Sequence, residues 1–436
     1  MIFKNFITVK ILFYLIPAIM LLSSGYITVY ISLFTIVAIF LLYKNNLKIN
    51  ICILDYIVFF FFFISFVSTL INVTQLGYFI LFKSFLDIRF AILYLIIRNL
   101  FQYKLLNLKY FLNISFITTI FLSIDIIVQH IYGVDLFGIE PFDERYNGIF
   151  ESEAIAGGYI QKFSIFALLS IFFLNLDETK KKILVFLFIN LLGAAIILTN
   201  DRMPFVIFIF TFLLLLFFLK KYTKFFFLNL MSLLLIFLIL FNNYSVTNKR
   251  YLSLRSELNY EIIKNNLIKI TNIFNTTTKI SIESNTDNNA EQKVRFTGGY
   301  LRIYNAAIHL WYKNPIIGTG VKSFWYECIK LPPDSNHISC STHPHNIYLE
   351  IFVNQGIIGI SAFIYLIFFI FKEYYSEYKF IKNSHKNFIL YILLMSLLFV
   401  ELMPFRSYGS IFQTMNGSIF WIILAITSSI KYQRIK

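Results

Sequence analysis

Residues 180–221 read KKKILVFLFINLLGAAIILTNDRMPFVIFIFTFLLLLFFLKK, and this stretch decides the fold. Two apolar runs, 183–199 and 203–219, are separated only by Asn200-Asp201-Arg202, with lysines closing both outer ends. Each run is close to the shortest length that crosses a bilayer as a helix. In lipid only a helix or a closed barrel satisfies every backbone N–H and C=O internally. The stretch therefore reads as two membrane helices joined by a tight, polar turn at the water boundary. Extended over the chain, the same criterion predicts about twelve transmembrane helices. They fall near 11–25, 27–43, 51–71, 77–97, 110–131, 155–176, 183–199, 203–219, 225–241, 347–371, 388–403 and 411–430. The first lacks a small-residue cleavage site and is taken as a retained helix. The expected fold class is an all-α integral membrane protein with a large periplasmic loop between helices 9 and 10. The expected parts are 1–241 (helices 1–9), 242–346 (the loop) and 347–436 (helices 10–12).

Composition agrees. The chain of 436 residues is 58% hydrophobic and 14% charged, where soluble domains carry about 25% charged residues. The formal charge of +15 first points to nucleic acid or anionic lipid. Its distribution argues otherwise. Of 38 Lys and Arg residues, 20 lie at the termini and in alternate loops on one side. The short loops on the other side hold only Arg145, Arg202 and Arg406. By the positive-inside rule the lysine-rich side is cytoplasmic. Both termini are then expected in the cytoplasm and the long loop outside, with no nucleic-acid partner.

Within the outer loop, apolar spacing predicts amphipathic helices at Leu254–Phe274 and Thr297–Tyr312, with polar residues 275–292 between them. Asn314-Pro315 ends the second helix and Gly318 and Gly320 supply a turn. Cys328 and Cys340 lie in the same loop, where an oxidising compartment permits a disulfide; spacing alone leaves that open. Asp55, Asp87, Arg89 and Asp125 lie in or near apolar spans, where charges usually face the bundle interior and pair. Asp87 and Arg89 are two residues apart and so point to different helix faces. There is no phosphate-binding loop, dinucleotide fingerprint or metal-ligand run, so neither an ATPase nor a cofactor or metal is expected.

The polar residues suited to chemistry collect at the outer boundary. Arg202 is either an interfacial anchor or partner of Asp201, or an anion ligand on a rigid turn. Arg302 shares a helix face with Asn305 and His309, which is either a solvated face or a second anion contact. In Thr342-His343-Pro344-His345-Asn346 a histidine either caps the tenth span or accepts a proton near neutral pH. Arginines that stay charged and grip phosphate oxygens bidentately, beside an imidazole, suit a reaction in which diphosphate leaves.

Three stretches carry a family resemblance. The first is Asp125-Ile-Ile-Val-Gln129 with Tyr132-Gly133-Val-Asp135-Leu-Phe-Gly138 and Arg145-Tyr-Asn-Gly148. The second is Arg302 followed by Gly318 in Asn314-Pro315-Ile-Ile-Gly318-Thr-Gly320, and the third is His345-Asn346 followed by Gly356 and Gly359. From about Ile124 to Gly359 the chain resembles the O-antigen ligase and polymerase superfamily of bacterial envelope glycosyltransferases, closer to the ligase. The resemblance implies a multi-pass protein of the bacterial inner membrane with a periplasmic active site. It implies lipopolysaccharide biosynthesis: transfer of a glycan from polyprenyl diphosphate to lipid A–core, by metal-independent inverting displacement. Arg202 and Arg302 would bind the diphosphate, His345 would activate the acceptor hydroxyl, and Arg145 would be a further substrate contact. His343 is read as a bystander. The alternative is a polymerase joining carrier-linked repeats. A flippase or transporter would show related halves and broken midplane helices, and no half-repeat is seen.

Overall fold

The computed structural model describes residues 6–243, 251, 300–331, 338–381 and 385–433. The expected helix at Leu254–Phe274 and the polar stretch 275–292 lie outside the described residues. Among those described, the regular elements are helices; the pairing of Phe142 with Arg145 is an isolated bridge. In chain order they are α1 (Ile7–Tyr14), α2 (Ile16–Ile19), α3 (Ser24–Lys44), α4 (Ile53–Ile71), α5 (Val73–Leu76), α6 (Tyr78–Leu86), α7 (Ile88–Gln102) and α8 (Leu108–Tyr132). There follow α9 (Ala156–Phe172), α10 (Glu178–Leu198), α11 (Arg202–Phe218) and α12 (Thr223–Asn243). The last are α13 (Tyr300–Lys313), α14 (Ser323–Cys328), α15 (Ile347–Ile381), α16 (His385–Glu401) and α17 (Thr414–Ser428).

Among the described residues, six helices are long and apolar enough to cross a membrane: α3, α4, α8, α10, α12 and α15. At 1.5 Å rise per residue, the 21 residues of α3 span about 31 Å, the thickness of a bilayer's hydrocarbon core. The apolar helices α9, α11, α16 and α17 are shorter. Tyr26, Val29 and Ile36 of α3 are more than half exposed, the pattern of a helix that turns apolar side chains to lipid.

Three expected runs are broken rather than continuous. In 11–25, α1 stops at Tyr14 and Pro17 sits in the first turn of α2; proline has no N–H to continue the ladder. In 77–97, the helix breaks at Asp87 and α7 carries on to Gln102. The expected run 347–371 belongs to a longer α15, which reaches Ile381 and is itself interrupted at Gly356 (φ 62°, ψ −157°).

The buried charges explain the packing. Asp55 on α4 receives Arg98 on α7, Nε to Oδ1 at 2.7 Å, with both side chains nearly inaccessible. Above this pair, Phe62, Tyr94 and Trp421 tie α4, α7 and α17 together, with the Phe62 and Trp421 ring centres 5.0 Å apart. A small satellite core joins Ile303, Ala306, Leu310, Phe324 and Cys328 to Val353 of α15. The described part of the long loop therefore rests on the helix bundle.

Candidate functional site

The loop that carries Arg145 is shaped from below by α8. Asp125 accepts the Leu136 and Ile149 amides, both at 3.0 Å. One turn on, Gln129 accepts the Gly148 amide at 2.9 Å and donates to the Ile139 carbonyl at 3.0 Å. Asp135 accepts the amides of Phe137 and Ile139. A side chain on Gly148 would lie 2.4 Å from Asp125 Oδ2. These motif residues are thus a scaffold for the loop. Their product is the position of Arg145, whose Nη1 meets Asp201 Oδ1 at 3.1 Å. Asn200, at positive φ, donates to the Glu144 carbonyl at 3.0 Å and closes the same corner. Arg202 follows as the first residue of α11. Asp201 therefore has Arg145 as a partner, and Arg145 and Arg202 flank it.

A second assembly fixes Arg302 and His345. Gly318 and Gly356 lie against each other's segments. A side chain on Gly318 would lie 2.4 Å from the Gln355 nitrogen, and one on Gly356 2.4 Å from the Ile316 carbonyl. Both have positive φ, which an L side chain adopts only with strain. The Thr319 and Gly320 amides bond to the Val353 and Asn354 carbonyls, and the Ile357 amide bonds back to the Pro315 carbonyl. The carbonyls and amides freed by the break in α15 are thereby satisfied by the turn after α13. The spacings from Arg302 to Gly318 and from His345 to Gly356 thus measure how far each residue stands from one shared lock.

From this lock α13 runs back over α15. Tyr300, at its start, has its ring centre 5.4 Å from that of His345, and Arg302 is two residues later. The Arg302 carbonyl accepts the Ser339 amide at 3.4 Å. Cys328 and Cys340 form a disulfide, Cα to Cα 5.7 Å, which pins the segment leading to the histidines. His345 Nε2 and Ser341 Oγ are 3.0 Å apart, and the residue has φ +55°. Burial lowers its pKa below the usual histidine value, so its ring is neutral at pH 7. His343 is not remote from it: the two ring centres are 4.1 Å apart. Burial, and then the neighbouring His345, push His343 down to about 3.

Beneath His345 lies a polar network that sequence reasoning missed. The His345 carbonyl accepts the Tyr408 amide at 2.8 Å. The Tyr408 hydroxyl donates to Glu401 Oε2 at 2.7 Å and accepts from Lys162 Nζ at 3.2 Å. Arg406 pairs with Glu401 at 2.7 Å and donates to Gln161 Oε1 at 2.7 Å. Arg406, counted from sequence as a loop charge, is therefore buried in an ion pair. The signal was present as two charges, Lys162 and Glu401, in apolar runs, which by default face partners. Glu401 meets Arg406 and Tyr408 from the next few residues, whereas the Tyr408 that meets Lys162 is 246 residues away, and no local pattern names it.

Helix α9 connects the two assemblies. A side chain on Gly157 would meet Thr199 Oγ1 at 2.7 Å and the Asp201 Cβ at 3.2 Å. Gln161, four residues later on the same face, carries Arg406. The corner with Arg145 and Arg202 and the segment with Arg406 thus attach one helical turn apart. Arg302 belongs to the other assembly, on α13. The groove between α3, α7 and α17 is lined by none of the four candidates.

The family model described as O-antigen ligase matches residues 183–364. Over that segment the chain is similar to the O-antigen ligase family. Nothing among the curated proteins matches the chain. The O-antigen ligase match runs from within α10 through the interrupted part of α15, so it contains Arg202, Arg302, His345 and the glycine lock. Arg145 precedes it and is joined to it through Asp201. The same described residues include helices long and apolar enough to cross a membrane, as a multi-pass membrane protein requires.

Proposed function

We propose that the protein is an O-antigen ligase-like glycosyltransferase that moves a glycan from polyprenyl diphosphate to lipid A–core. The observation carrying this reading is that the O-antigen ligase match encloses Arg202, Arg302 and His345, with Arg145 drawn in by its ion pair. In the proposed step the acceptor hydroxyl attacks the anomeric carbon as the bond to the diphosphate oxygen breaks. The hydroxyl proton passes to His345, whose neutral ring is the form able to accept it. The diphosphate leaves with its new charge held by Arg145, Arg202 and Arg302. Direct displacement inverts the anomeric centre and requires neither metal nor cofactor. The lysine distribution supports a bacterial inner-membrane orientation with both termini cytoplasmic and this site periplasmic. The twelve-span division into 1–241, 242–346 and 347–436 belongs to the same proposal.

Purified protein given a carrier-linked glycan and two acceptors tests this. Product on lipid A–core, undiminished by excess chelator, is the expected result. Extension of the carrier-linked chain instead would make the protein a polymerase, the alternative within the same chemistry. Activity lost to chelator and restored by a divalent ion would refute the metal-free step.

A further inference from the structure

A groove opens between α3, α7 and α17, lined by Thr28, Ser32, Thr35, Arg89, Phe90 and Thr414 among others, with an empty volume of about 660 Å³. Its α3 wall runs from Thr28 to Ile39, about 16 Å at helical rise. That is about half of a 30 Å hydrocarbon core, the depth of one leaflet. Ile36 and Ile39 on its wall are 64% and 38% exposed, so the groove opens sideways, where lipid chains lie.

One end of the groove is cationic. Arg89 Nη2 donates to Thr414 Oγ1 at 3.3 Å, and Thr28, near the start of α3, lies 3.2 Å from the same hydroxyl. Asp87 turns instead toward Lys322, at 3.8 Å. Among the described residues no carboxylate lies within salt-bridge distance of Arg89. A guanidinium at membrane depth is stabilised by an anion. The 15-residue α17 starts beside it, and Gln413 makes no side-chain cap there, so first-turn amides add to the attraction.

We propose that this groove seats one acyl chain of a phosphate-bearing lipid acceptor, with Arg89 holding the phosphate. The inference rests on the transferase reading above, in which the donor diphosphate is held by Arg145, Arg202 and Arg302. A two-lipid reaction needs a second place for a lipid to enter. A groove one leaflet deep suits an acyl chain, whereas the much longer polyprenyl tail overruns it. The segment from Tyr408 to Thr414 joins the groove to the histidine. Tyr408 holds the His345 carbonyl, and the Ile411 amide bonds to Glu350 in the first turn of α15 at 3.2 Å.

The test uses full-length protein in nanodiscs with photoreactive lipid A, and with photoreactive polyprenyl diphosphate as a second probe. Lipid A is expected to label peptides of α3 and α17. Arg89→Gln and Ser32→Trp should each reduce that labelling roughly tenfold, the loss of a charged hydrogen bond or of the space itself. Labelling by the polyprenyl probe should stay near α11 in both variants, which also shows that they are folded. Unchanged lipid A labelling in both variants overturns the proposal. So does labelling of the same peptides by the polyprenyl probe, or equal competition by phosphatidylglycerol. Failure of transfer with groove labelling intact would count against the transferase reading alone.

Discussion

His345 and Tyr408 are joined through their backbones, the Tyr408 amide donating to the His345 carbonyl at 2.8 Å. The histidine thereby hangs from a residue whose hydroxyl is bonded to Glu401 and approached by Lys162. Its position depends on charges that no local sequence pattern connects to it.

On the proposed mechanism, His345→Ala should lower transfer by about 10²–10⁴-fold, the usual contribution of a general base. Arg302→Ala should also abolish transfer. Both variants should insert and melt like the parent; product formed at near-parental rate by either would remove that residue from the site.

Glu401→Ala should cost stability, by about 3–5 kcal/mol, because it leaves Arg406 and Lys162 buried without their shared counter-charge. A lowered melting temperature in detergent checks this. A parental melting curve would show that the network does not hold the 404–413 segment.

The buried His343 makes stability depend on pH. Its folded pKa, about 3, is below the unfolded value of about 6.5, so between these values the unfolded chain binds more protons. Its contribution is present in full above pH 6.5 and is lost as pH falls toward 3. His343→Gln should flatten the melting temperature over that window. Transfer by the parent should fall on an acid limb lying below pH 6.5, as His345 gains its proton.

Glycine positions separate strain from free space. Gly318→Ala and Gly356→Ala each force a methyl group to 2.4 Å from backbone atoms at positive φ, and should cost at least about 1–3 kcal/mol. Gly158→Ala, inside α9 with nothing within 4 Å, should be stabilising by about 0.5–1 kcal/mol. Thermal melts of the three variants test the contrast.

The disulfide can be counted directly. Denatured protein should take up one maleimide without reductant, at Cys52, and three after reduction. Cys328→Ser should lower stability by about 2–4 kcal/mol.

Much of the helical fold was legible because apolar length is a local property: 27–43 and 110–131 correspond to α3 and α8 within three residues. The departures are also physical. Pro17 and Asp87 break runs that hydropathy alone reads as continuous, and Gly356 interrupts a helix whose composition never changes. At the candidate site, Arg145 could be seen as a loop charge, but its bond to Asp201 depends on a fold of α8 and its loop that brings position 145 to position 201. His343, a bystander on the family resemblance, packs on His345. Asp125 was noted as a charge in a span; its partners are backbone amides, which every residue carries and no sequence distinguishes.

The lock between Gly318 and Gly356 bears on how such proteins can be recombined. The turn after α13 and the break in α15 each supply the other's missing hydrogen bonds, so neither is an independent module. A chimera that exchanges only 242–346 with a relative would pair one parent's turn with the other's helix break. Exchanges with both crossover points outside 314–359 keep the two halves together, and these are the ones expected to yield folded, comparable hybrids.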